Sequence, residues 1–170
     1  MAPRKPKPPV DLANGVLHCW RTHERINQFL LEALPAPAWD AKPPGGKGRT
    51  IAAIVSHMHN VRHMWLVVCS PDFAAPEKLD RHTVTLAKAR KALESSSHAI
   101  EELLARSLAN GGHVKDFKPD VVGLLGYMIA HEAHHRGQIC MQARALGHQL
   151  PTEVGFGMWD WPKRSKEALR

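Results

Sequence analysis

Cysteine is scarce in this chain, and it lacks the long apolar runs and strand-like alternation that mark several large protein classes. The three cysteines, Cys19, Cys69 and Cys140, are odd in number and have no metal-binding or redox spacing. That excludes a disulfide framework and makes the cytoplasm the expected compartment. No apolar stretch approaches the ~18 residues needed to cross a bilayer, so no membrane partner is expected. The opening residues are positively charged but no apolar segment follows, so they do not read as a secretory leader.

Negative charge is also in short supply, with a formal net charge of +7. The excess is local. Arg4, Lys5 and Lys7 lie at one end, and Lys163, Arg164, Lys166 and Arg170, offset by Glu167, at the other. The body between them is close to neutral, unlike a patterned phosphate-binding face, so nucleic acid is not an expected partner. The organisation implied is a basic Pro-rich tail over 1–9, one helical domain over 10–162 and a basic tail over 163–170. Both tails are expected to be dispensable for folding.

What is present is helical periodicity in four segments separated by Pro- and Gly-rich stretches. The first runs from about Leu12 to Leu34 and stops at Pro35, with a stripe of Leu12, Val16, Trp20, Ile26, Leu30 and Leu34. Thr50 is placed to cap a second helix carrying Ile51, Ile54, Met58, Val61, Trp65 and Val68. A third, capped by Thr83, carries Leu86, Leu93, Ile100, Leu103 and Leu104. The fourth runs from Pro119, as a first-turn proline, to Leu146, with Gly147 as its C′ residue. Four amphipathic helices predict an all-α four-helix bundle. The aromatic stretch from Leu150 to Trp161 is expected to pack over one end of it.

Histidine is abundant, at twelve residues. At 100° per residue, His57 shares a face with Ile54, Val61 and Trp65, whereas His59 and His63 fall 200° and 240° from it and are expected outside. A lone core histidine reads first as a satisfied hydrogen-bonding residue. The fourth helix changes that reading, because its row Leu124, Met128, His131, His135, Gln138, Gln142 holds two imidazoles at i and i+4. This is the spacing by which one helix offers two rings to one ion. The depths agree as well. His57 precedes Cys69 by 12 residues and His131 follows Pro119 by 12. In antiparallel helices each would lie ~18 Å from a shared end.

His131-Glu132-Ala133-His134-His135 also matches H-E-x-x-H, the zincin signature with Glu as general base. The extended pattern fails, since Gly137 falls one place early and Met141 stands where a third His belongs. Glu132 is expected to point about 100° away from the ligand row.

Ile51 to Met58, the segment His131-Glu-Ala-His-His135-Arg-Gly-Gln138-Ile, and the Leu146-Gly147 turn together resemble the DinB/YfiT-like superfamily. Leu150-Pro-Thr-Glu and Gly157-Met-Trp-Asp-Trp161 are similar to its members too, so the resemblance spans roughly Leu12 to Trp161. It implies an up-down-down-up bundle with a long connection between the second and third helices. It also implies a zinc or nickel ion on His57, His131 and His135, and often a homodimer. Some relatives are S-transferases using low-molecular-weight thiols.

Three imidazoles leave a tetrahedral zinc one open position, the pattern of catalytic sites. The expected function is a metal-dependent transferase or hydrolase acting on a small molecule, with a thiol as candidate cofactor. His23, Gln138 and Trp65 are candidate second-sphere or pocket residues, although His23 reads first as an ordinary boundary histidine. The alternative is a non-catalytic metal-binding protein whose ligand shell is closed by Gln138, His134 or Glu132.

Overall fold

The computed structural model describes residues 9–168. Residues 1–8, nearly all of the expected N-terminal tail, lie outside them. Four long helices, α1 (Leu12–Glu32), α2 (Ile51–Cys69), α3 (Leu86–Ala109) and α4 (Val121–Ala145), are followed by two short ones, α5 (Thr152–Gly157) and α6 (Trp161–Glu167). There are no strands among the described residues.

Each long helix starts on a side-chain cap that satisfies a free backbone N–H. Asp11 accepts from the Asn14 N–H, Thr50 from Ala53, Thr85 from Lys88 and Asp120 from Gly123. Thr50 is the expected cap. Thr85 replaces Thr83, whose hydroxyl donates to Asp80 instead. Pro119 lies outside α4 rather than in its first turn. Gly123 leaves room for it, since a Cβ there would come within 2.7 Å of Pro119 Cδ.

Two apolar clusters define the direction of every helix. Leu30, Leu31, Ile51, Val55, Ala89, Leu93, Ile139 and Ala143 pack at one end of the bundle, and Trp20, Leu66, Ile100, Leu104, Val121 and Leu124 at the other. α1 and α4 therefore run from the second cluster to the first, while α2 and α3 run from the first to the second. This is the up-down-down-up order, and it requires a long crossing between α2 and α3. α2 itself holds that crossing. Asn60 exchanges two hydrogen bonds with the Leu79 backbone, His59 Nε2–H donates to the Glu77 carbonyl and His63 Nδ1–H to that of Pro76.

The faces differ from the apolar stripes in an instructive way. Leu12 and Val68 are exposed, and the inward row of α2 is Ile51, Val55, Met58, His59, Arg62, Leu66 and Cys69. On α4 it is Val121, Leu124, Leu125, Met128, Glu132, His135, Ile139 and Ala143. His59 is thus buried and His63 half-buried, not outside, and Glu132 lies at the centre of the bundle. The cause is the buried pair of Arg62 and Glu132. A pair that neutralises itself occupies core positions that a count of apolar residues assigns to the surface.

The expected packing of the aromatic stretch is partly met. Leu150, Val154 and Met158 pack against the first cluster, whereas Phe156 and Trp159 are largely exposed. Lys163 to Glu167, expected in a basic tail, form most of α6. Arg164 is buried with its guanidinium 4.0 Å from the Phe29 ring centroid, and Glu167 pairs with Arg164 and Arg25.

Candidate metal centre

The antiparallel course of α2 and α4 brings His57 to the level of His131 and His135. His131 Nε2 lies 3.3 Å from His57 Nε2 and 3.1 Å from His135 Nε2. One ligand atom from each ring falls within 4.8 Å of the others, and no other His, Cys, Asp or Glu among the described residues joins them. Nitrogens bound at ~2.0–2.1 Å in a tetrahedral zinc site lie roughly 3.3 Å apart, so these separations suit a shared ion.

The proton arrangement fits as well. The Gln138 carboxamide oxygen accepts from His135 Nδ1–H at 2.8 Å, which leaves the Nε2 lone pair of that ring facing its neighbours. His131 Nδ1 is buried without a partner, so Nε2 is the nitrogen of that ring with company. Burial, then the charge of neighbouring rings and of Arg49, holds His57 down to about 4. Burial followed by the His135 charge lowers His131, and burial with the charges of His134 and Arg49 lowers His135. All three are neutral near pH 7, the form that binds a metal without displacing a proton. The triad could hold a metal ion.

Its setting is a groove edge. His57 and His131 are partly exposed, while His135 is buried. A hollow of about 530 Å³ opens beside His134, His135 and Gln138, and another of about 310 Å³ beside His57, Asn60 and Asp80. Arg49 borders both. The Tyr127 ring lies nearly parallel to His131, with centroids 6.0 Å apart. Trp65 packs edge-on against Tyr127 and Phe117, so it reaches the triad only through Tyr127.

His23 does not meet the triad. It is wholly buried, donating from Nε2 to Glu132 at 2.8 Å and accepting at Nδ1 from Arg136. Glu132 also takes two bonds from Arg62, at 2.6 and 2.7 Å, and one from Asn27 at 2.6 Å. Arg62 in turn donates to Glu24 and to the Leu93 carbonyl. Burial pushes the Glu132 carboxyl upward, but the charge and hydrogen bonds of Arg62 and then His23 prevail and hold it well below the usual carboxylate range. Both oxygens are committed to the core, which is incompatible with the exposed general base of a zincin.

Of the candidates, His57, His131, His135 and Gln138 therefore meet directly. Arg62, Asn27, Arg136, Tyr127 and Arg49 escaped the sequence reading. Tyr127 was within reach of it, since it stands one turn before His131 on the same face. Arg62 and Arg49 carry no signal of that kind.

A family model described as DinB family matches residues 11–159. No curated protein and no solved structure matches the chain.

Proposed function

The chain belongs to the DinB family, and from that premise we propose that His57, His131 and His135 hold one divalent ion, zinc or nickel, in a site that accepts a small-molecule ligand. The protein is on this reading a metal-dependent transferase of the thiol S-transferase type, or a hydrolase. The observation that carries it is the convergence of three neutral imidazoles at a groove edge, joined by no fourth His, Cys, Asp or Glu among the described residues.

The groups that could close the shell are otherwise engaged. Glu132 is locked in the core. Gln138 gives its oxygen to His135 and its amide N–H to His134 Nε2. An ion with three imidazole ligands and a free position lowers the pKa of a water or thiol bound there, so that either becomes a nucleophile near neutral pH. The chain's own contribution is to keep the rings neutral and aimed. Gln138 sets the tautomer of His135, Tyr127 backs His131, and the Arg62–Glu132 pair fixes the register of α2 against α4. The hollows on either side give small molecules room to approach the histidines without any rearrangement of the bundle.

Elemental analysis of untagged protein is expected to give about one divalent ion per chain, lost in His131→Ala and His135→Ala and kept in His63→Ala. Cobalt-substituted protein is expected to develop a sulfur-to-cobalt charge-transfer band with small thiols. Full metal occupancy in His135→Ala rejects the ligand assignment. A cobalt spectrum indifferent to thiols and azide favours a closed, structural site.

A further inference from the structure

Most arginines among the described residues are spent on carboxylates, as Arg25 is on Glu32 and Arg106 on Glu102. Arg49 is different. Among the described residues it makes no ion pair and no side-chain hydrogen bond, and it is exposed at the lip shared by the two hollows that flank the histidines. One hollow contains no acidic side chain. The other contains Asp80, whose oxygens already accept from the His82 N–H and the Thr83 hydroxyl, and it adds a second cation in Arg81. An unpaired guanidinium beside the histidine cluster, which Asp80 lies near but does not pair with, is an anion receptor whose planar fork matches a carboxylate.

We infer that the small molecule acted on or used at this site carries a carboxylate, and that Arg49 receives it while the reacting end lies at His57, His131 and His135. This rests on the reading of the triad as an open metal site. Arg49 would act as a binding and specificity residue, drawing acidic molecules to the groove and orienting them.

The test uses cobalt-substituted full-length protein and the charge-transfer band as readout, with 3-mercaptopropionate and its methyl ester as probes. The two thiols differ in charge at the far end, and comparing their affinity ratio between proteins cancels any difference in thiol acidity. An exposed ion pair contributes up to about 1 kcal/mol, so the wild-type preference for the acid is expected to fall by up to about fivefold in Arg49→Gln. Ester affinity and cobalt content should stay unchanged, and Arg49→Lys should keep part of the preference. In the wild-type chain the preference is expected to shrink as salt rises, because an exposed pair is screened. That arm holds even if a variant loads cobalt poorly. An acid-to-ester ratio unaltered in Arg49→Gln, or one indifferent to salt, overturns the inference while leaving the metal reading intact. A cobalt spectrum that responds to neither thiol overturns the open site, and this inference falls with it.

Discussion

At the scale of single residues, Gln138 and Glu132 stand on the same helix and do opposite things. Gln138 touches a candidate ligand directly, through the 2.8 Å bond to His135 Nδ1. Removing such a partner frees the ring to rotate and to change tautomer, which typically costs 10–100-fold in metal affinity. Gln138→Ala is therefore expected to weaken zinc binding by about that factor with little change in thermal midpoint, as read by chelator competition. Glu132 instead neutralises Arg62 and accepts from His23 at the centre of the bundle. Glu132→Gln leaves the Arg62 guanidinium with only Glu24 as a charged partner. Breaking a buried pair costs about 3–5 kcal/mol, or about ten degrees of thermal midpoint at this size. A zincin base would behave otherwise, losing turnover at unchanged stability. Thermal denaturation of Glu132→Gln separates the two, and an unchanged midpoint would refute the role assigned to the network.

At the scale of elements, the C-terminal helix is the clearest departure from a charge-based reading. α6 buries Arg164 over Phe29 and ties Glu167 to Arg25 on α1. Gly157, just before it, passes so close to Phe29 that a Cβ would come within 2.7 Å of the ring. Removing Lys163 to Arg170 uncovers Phe29 and leaves Arg25 with only Glu32, so the midpoint should fall by several degrees, about 2 kcal/mol from the desolvated cation–π contact. A truncated chain as stable as the full one would show that α6 contributes nothing. The α2 helix carries a comparable duty on its other side. Its His59, Asn60 and His63 anchor residues 76–79, which places Asp80 and Arg81 at the groove beside His57. Two of the twelve histidines are thereby accounted for without any ion.

At the scale of the whole molecule, acid should unfold the protein earlier than its size suggests. His23, His57, His59, His131 and His135 all have pKa values lowered mainly by burial. Unfolded, these rings take up protons near pH 6.5, while folded they resist until lower pH, as low as about 4 for His57. Between those limits the unfolded state binds more protons, so stability rises with pH. Stability is full above about pH 6.5 and is lost progressively as pH falls from there toward 4. Metal bound to neutral imidazoles steepens the loss, because protons compete for the same nitrogens. Thermal midpoints measured with and without chelator across this range check both parts. A flat profile in chelator would contradict burial of these rings in the neutral form.

Four helices, the places where they end and the convergence of His57, His131 and His135 were legible in the sequence. Each rests on local chemistry or short spacing: Thr50 as a cap, Gly147 with its positive φ after α4, and two histidines one turn apart. The i, i+4 relation survives any error in where a helix starts, whereas the matching depth of His57 depends on where α2 ends and α4 begins. Which side of each helix is innermost could be decided only by tertiary structure. Phase counting gives the centre of a helix to its apolar residues, yet the centre here belongs to Arg62 and Glu132, and the histidines are displaced to the groove edge. A buried charge becomes favourable only through a partner more than sixty residues away in sequence, and nothing local encodes that distance. The same holds for Arg164, whose charge reads as solvent-facing until Phe29 of α1 is brought to it.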